Sequence, residues 1–516
     1  MAAFVWCIII ASLAVAYKFL IAPYFEGRLA GKTGSESQYA HAVTVAADSF
    51  SGYCVLRSDS VQSQLKAKGI KLEVEDDAAD YVKRIKALRA GGIQMAVFTI
   101  DSLLTSGAQI NEFPGTIVLV LDETKGADAL VAYKDAVASI QDLDHPDARI
   151  VATPSSPSEF LSRVVLAHFS LPRLPEKWLV EADGAGDAYK KLRAANKNEK
   201  RAYALWQPYV SMALEEEGVH VLLDSSKMSG YIVDVLIAQR KFLADHPDVV
   251  KEVVEAYLRA SHSYSQQQNG LADLVMSDAK QTGAEKLNQD QARALVDGIQ
   301  WKNTMENYAH FGLLPSVQAG DAKHLEDMIG SIAGVLVETG ALQSNPVDGK
   351  ESTLFYDRIL RELKAAGFHP GKKSNVLDGV GLGAEDLEQM RTEKELPPLS
   401  ESQWQNLAEV GEMRIRPIAF ARGTARINVQ SGRDLKELAN RLKSLPQYYL
   451  IVVGHSRAEG DAEANMRLAQ ERAQAAAEVI RGEGIGPNRI RVQAAKPSAQ
   501  NGSAQSVSFI VGQVPY

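Results

Sequence analysis

Residues 454–458 read Gly-His-Ser-Arg-Ala at the end of the apolar run "YYLIVV". A serine two residues after a glycine, at a sharp strand-to-helix turn, is the arrangement that presents a hydroxyl as a nucleophile, with an acid and then a histidine supplied farther along the chain. Neither condition is met. Gly460 and Asp461 separate Ser456 from the helical pattern that follows, and no histidine occurs after His455. Acyl transfer at Ser456 is thereby excluded. Other catalytic spacings are also missing: the ten histidines include no His-x-x-x-His pair, and Cys7 and Cys54 are the only cysteines, so no metal centre is expected. Gly379, Gly381 and Gly383 follow no strand pattern and precede no Gly-Lys-Ser/Thr, which argues against a phosphate loop. The acidic stretch "EVEDDAAD" (73–80) reads as a helix cap and a solvated turn. No cofactor and no enzymatic activity are expected.

What remains is binding chemistry. Three apolar runs end in short polar turns rich in hydroxyls and acids: "DSFSGY" (48–53), "DSLLTSG" (101–107) and "DETKGAD" (122–128). The elements that position them alternate. "AVTVAA" (42–47) reads as a strand, 55–69 as a helix ended by Gly69, "IKLEVE" (70–75) as a strand, 78–92 as a helix capped by Asp76 or Asp77, and "IQMAVFTI" (93–100) as a strand. Such alternation implies a parallel sheet covered on both faces, with ligands held beyond the carboxyl ends of its strands, where helix N-termini present free N–H groups. Each serine there, taken singly, is equally consistent with an ordinary helix cap.

Composition sets the outer bounds. A chain of 516 residues, 46% apolar and 23% charged, can build two or three domains with full cores, and a net charge of −8 leaves no basic footprint for nucleic acid. The 24 residues from Ala2 to Phe25 carry one charge, Lys18, and reach the roughly 20 residues needed for one bilayer crossing. A single-pass anchor is expected at 1–25, followed by a linker at 26–40, with the bulk of the chain in the periplasm. Ala14-Val15-Ala16 also fits a signal-peptidase site, which would leave a soluble periplasmic protein.

The segments "SFSGY", "LDETKGADALVAYKD" (121–135), "ATPSSPSEFLSRVVL" (152–166), "YALWQPYVSMALEEEGVHVLLDSS" (203–226) and "IVDVLIAQRKFLADHPDVVKEVVEAY" (232–257) resemble, in order, the extracytoplasmic solute-binding proteins of ABC importers of the nitrate, sulfonate and taurine type. The resemblance implies two α/β lobes over 41–367, joined by two crossing strands near Val131–Asp135 and Leu222–Asp224. It also implies a cleft lined by Ser51, Gly52, Tyr53, Asp101 and Ser102 from one lobe and by Ser155, Ser156, Ser158 and Trp206 from the other. N–H groups and hydroxyls of this kind can hold an oxyanion without a formal cation, so a small anionic or zwitterionic solute is expected.

After a Gly-, Pro- and charge-rich linker at 368–411, the stretch 412–516 is similar to the OmpA-like domains: "IRPIAFARGTARI" (415–427), a helix "LKELANRLKSLP", the strand ending in Gly454-His455, and the spacing of Gly460, Asn465, Leu468, Arg472 and Ala473. The resemblance implies a peptidoglycan site in which a helix arginine, here Arg472, holds a carboxylate and an aspartate holds an ammonium, with Asn465 two turns away on the face of Arg472. Arg457 stands at the aspartate position and reverses the local field. The expected architecture is therefore an α/β, two-lobed type 2 periplasmic-binding-protein fold, preceded by one transmembrane helix and followed by an α+β OmpA-like domain. The expected function is capture of a solute for an ABC permease, with tethering to peptidoglycan. The alternative is a membrane-anchored sensor or scaffold in which both domains bind proteins.

Overall fold

The computed structural model describes residues 39–283, 286–320, 322–372, 389–391, 395–456, 460–495 and 507–515. The expected anchor at 1–25 and Arg457 lie outside the described residues, and among the described residues no helix is long and apolar enough to cross a membrane.

The first lobe begins with β1 (His41–Ala47), β2 (Ile70–Asp76) and β3 (Met95–Thr99), all parallel, followed by β4 (Gly115–Thr124). β3 and β4 are buried at every position, as strands covered on both faces must be. The helix expected over 55–69 is two helices, Cys54–Arg57 and Asp59–Ala67. Ser58 between them is extended and caps the second by accepting from Val61 N. The cap of helix Tyr81–Ala90 is Asp80, and neither Asp76 nor Asp77. Asp77 instead pairs with the buried Arg84, which also bonds the Val97 carbonyl.

The chain then enters the second lobe through β5 (Asp128–Tyr133), β6 (Arg149–Ala152), β7 (Leu179–Glu181), β8 (Arg201–Trp206) and β9 (Val219–Asp224), whose spatial order is β7-β6-β8-β5-β9. It returns to the first lobe as β10 (Val233–Gln239), antiparallel between β3 and β4, and β11 (Ile299–Trp301) closes an order of β11-β4-β10-β3-β1-β2. The crossings are residues 125–127 and 225–232. The expected crossing at Val131–Asp135 is thus displaced toward the N-terminus, because Val131 is already paired on both sides with strands of the second lobe. Ser225 ties the two crossings, its Oγ accepting from Gly126 N at 2.8 Å. Glu123, next to the outgoing crossing, accepts from Gly230 N at 2.7 Å and pairs with Lys302 at 2.6 Å. Burial opposes the Glu123 charge, but Lys302 and Lys125 outweigh it and hold the carboxyl well below the usual range.

The C-terminal domain is a four-stranded sheet of β12 (Ala408–Glu412), β13 (Tyr449–Gly454), β14 (Ile490–Ala494) and β15 (Val507–Gln513), in the order β12-β15-β13-β14. Helices Val429–Lys443 and Ala462–Gly482 cover it with Leu435, Leu438, Leu442, Ala473, Ala477 and Ile480. β12 lies inside the stretch read as linker, and 415–427, read as the domain's opening, is irregular apart from one bridge between Phe420 and Ile427. Beyond β12, Met413 forms a bridge with Phe169 of the second lobe.

Candidate functional site between the lobes

β1 and β4 end, and β5 and β10 begin, at the junction of the lobes, and a cavity of about 750 Å³ opens there. Of the residues expected at the cleft, Ser51, Tyr53, Ser156 and Trp206 line it. Ser51 and Tyr53 lie on the 3-10 turn after β1; Ser156 caps helix Pro157–His168, its Oγ accepting from Glu159 N at 3.4 Å. Asp101 and Ser155 open instead on a second cavity of about 750 Å³, which Ser156 also touches. The Ser155 N–H donates to Glu159 Oε2 at 2.6 Å. Asp101 is almost fully buried, and burial pushes its carboxyl up to about 7.

Gly52, Ser102 and Ser158 line neither cavity. Gly52 works by being small: a Cβ there would sit 2.9 Å from Asp122 Oδ2, and its carbonyl accepts from Trp301 Nε1 at 2.8 Å. Ser102 Oγ is bonded to the Thr99 carbonyl at 2.9 Å, and Ser158 is completely buried in the helix it helps begin.

The charge of the cleft is the opposite of that expected for an oxyanion. Asp48, Asp128, Asp183 and Asp234 line it, with no lysine, arginine or histidine among the described lining residues. Two buried cations near it are already matched: Arg84 by Asp48 at 3.2 Å as well as by Asp77, and Lys302 by Glu123 at 2.6 Å. Behind Asp234 stands Asp122, directly opposite it in the β4–β10 register. Both are buried; among the described residues no donor other than the Asp234 carboxyl itself reaches Asp122, and Tyr53 Oη donates to Asp234 Oδ1 at 2.5 Å. Burial and then the mutual repulsion of the pair raise Asp234; burial raises Asp122 to about 7 and Asp128 to about 7. Phe50, Tyr53, Tyr81, Trp206 and Tyr209 supply an aromatic part of the wall, beside aliphatic residues such as Ile232, Leu287 and Leu295.

Sequence reasoning missed Asp234, Tyr81 and Tyr209. A signal for Asp234 was present, since an aspartate inside the apolar run "VDVLIA" has to be accounted for.

In the C-terminal domain, Asn465 and Arg472 are half-buried on helix Ala462–Gly482. Arg472 Nε donates to the Thr424 carbonyl at 3.0 Å and its guanidinium lies over Phe420, 5.1 Å from the ring centre. His455 Nε2 and Ser508 Oγ are 2.7 Å apart, so the glycine-histidine pair serves the sheet.

Several solved structures are similar over the two-lobed part. A periplasmic sulfonate-binding protein of Methylobacillus flagellatus is 14% identical with a TM-score of 0.48, over 63% of this chain and 94% of that one. A periplasmic nitrate-binding protein of Synechocystis is 11% identical with a TM-score of 0.45, over 63% and 88%. A desulfurization enzyme is 12% identical with a TM-score of 0.43, over 64% and 100%. No curated protein matches the chain. The C-terminal part is matched by sequence: residues 419–508 fit the OmpA family, a match that takes in β13, β14 and the helices Val429–Lys443 and Ala462–Gly482.

Proposed function

We propose that this chain is an envelope receptor that captures a small solute between two hinged lobes for an ABC-type importer, and that its OmpA domain tethers it to the cell wall. The observation that carries the reading is a cleft lined from both lobes, beside two crossings held together by Ser225. Lobes joined in this way close on a ligand by shifting a population toward the closed state. The expected anchor or signal peptide at 1–25 supports location outside the cytoplasm. The acidic lining favours the zwitterionic branch of the expected ligands over a simple oxyanion.

A second reading, a sensor or scaffold, is favoured by one observation: the OmpA domain bonds to the second lobe through Met413 and Arg414, and to the return crossing through Ser444. Native mass spectrometry of the full chain purified gently from cells tests the first reading. A small molecule retained at one per chain, lost when Trp206 is replaced by Ala, supports the receptor; an empty cleft that no solute stabilises points to the scaffold.

A further inference from the structure

We infer that the cleft selects an organic cation, an amine or a quaternary ammonium group, held against Asp128 and the Asp122–Asp234 pair with its carbon body between Trp206 and the tyrosines. The inference rests on the receptor reading and names the ligand class of that site. Three observations of different kinds converge on it.

The first is unbalanced charge at a buried place. Like charges directly opposite on neighbouring strands are destabilising, and Asp122 and Asp234 occupy such positions with no basic side chain among the described lining residues; Lys302, whose charge reaches Asp122, is already paired with Glu123. A buried carboxylate left without a cation carries a penalty that a bound ammonium removes. The second is unmet hydrogen bonding: Thr153 Oγ1, a buried atom of a lining residue, makes no bond among the described residues, while the Thr124 hydroxyl is already turned to Asp128. The third is the aromatic wall. β5 and β8 place Trp206 directly opposite Asp128, so a carboxylate and an indole face belong to one subsite, with Tyr209 close by. Carboxylate plus aromatic faces, with no competing base, is the composition that recognises alkylammonium groups. A metal ion suits the site less well: among the described residues no three His, Cys, Asp or Glu side chains converge at ligand spacing.

Calorimetric titration and thermal shift of the full chain test this with choline and putrescine as cationic probes and isethionate and nitrate as anionic ones. Stabilisation by a cationic probe, weakened at least tenfold by Asp128→Asn and also by Trp206→Ala, is the expected result. Using two substitutions on separate strands keeps the test decisive if one variant misfolds. Stabilisation by isethionate or nitrate alone, or cation binding indifferent to Asp128→Asn, overturns the inference and leaves the receptor reading standing. No response to any probe, together with an empty cleft by native mass spectrometry, overturns both.

Discussion

Lys323 donates to Ser444 Oγ at 2.7 Å and to the Ser229 carbonyl at 2.8 Å, so one ammonium joins the OmpA domain to the return crossing of the two-lobed domain. Ser229 N adds a bond to the Ser444 carbonyl at 3.0 Å. On the second lobe, Arg414 N donates to the His168 carbonyl at 2.7 Å and Ser170 N to the Glu412 carbonyl at 2.9 Å. The OmpA domain therefore grips the second lobe and one of the two segments that must bend when the lobes move. Hinge motion has either to carry this domain along or to break these bonds, which links the cleft mechanically to whatever the OmpA domain holds.

That junction has an apolar centre in Phe169, 1% exposed and packed so closely on Gly411 that a Cβ there would come within 2.8 Å of the ring. Phe169→Ala removes a buried aromatic and leaves a void, at a cost of about 3–5 kcal/mol. Chemical denaturation is expected to show this loss, with β12 becoming sensitive to limited proteolysis. A variant as stable and as resistant as the parent would show that the two domains do not support each other there.

Asp128 sets a pH dependence whose sign can be worked out. Its folded carboxyl lies near 7 because it is buried, while an unfolded aspartate titrates near 3.9. Between these values the folded chain holds the proton that the unfolded chain has lost, so this contribution is present below about pH 4 and disappears as pH rises through 7. Three pKa units correspond to about 4 kcal/mol as a ceiling. Asn at this position has no charge to bury. The stability of Asp128→Asn relative to the parent should therefore rise from pH 5 to pH 8. Comparing two variants at each pH matters because His168 and His310, which burial holds down to about 3 and about 4, act in the opposite direction. A difference that does not change with pH would mean that Asp128 is not buried as a carboxylic acid.

Much of this architecture was legible and part of it was not, for physical reasons. The alternation of apolar runs with helical segments revealed the parallel core of the first lobe, because β1, β2 and β3 follow one another along the chain with helices between them, and β3 is buried at every position. The outgoing crossing, placed by resemblance, was misplaced because only pairing with β8 and β9 assigns "DALVAY" to the other lobe. β12 escaped notice because "AEVGE" has little apolar signal; it is a strand through its partner β15, far along the chain. The same holds at the cleft. Hydroxyls in the turns were visible as a local pattern, whereas the opposition of Asp122 and Asp234 exists only through the β4–β10 register.

Gly454 was read as part of a family spacing, and the structure supplies its cause. A Cβ there would lie 2.0 Å from the Ala469 carbonyl oxygen, which is backbone and cannot rotate away. Gly454→Ala must push helix Ala462–Gly482 off β13 and open the core around Ala473 and Ala477. Overpacking of this kind costs about 1–3 kcal/mol, and more where the obstructing atom is backbone. The expected result is a selective loss of amide-exchange protection in β13, β14 and this helix, with the first lobe unchanged. Uniform loss would mean that the whole chain unfolds as one unit; no loss would refute the close contact.

The proposed tethering to peptidoglycan turns on two charges, Arg472 and, where the resembling domains carry an aspartate, Arg457. Arg472 is half-buried and held in place by the Thr424 carbonyl and the Phe420 ring, so its guanidinium is preorganised to receive a carboxylate. The ammonium of the same ligand would meet Arg457 where the resembling domains present an acid, and two cations a few ångströms apart repel by about 1 to 4 kcal/mol across the range from water to a protein surface. Full-length protein is thus expected to sediment weakly with purified sacculi. Arg457→Asp should increase the bound fraction, and Arg472→Ala should abolish the gain when the two are combined. Salt separates the causes, since a gain due to a formed ion pair declines between 50 and 300 mM salt. If Arg457→Asp leaves sedimentation unchanged while the parent already binds, Arg457 lies away from the ligand and the wall is held by another surface. If neither protein binds under any condition, the junction at Lys323 and Ser444 becomes the leading explanation for why an OmpA domain is fused to this cleft, as a brace on the hinge in place of an anchor to the wall.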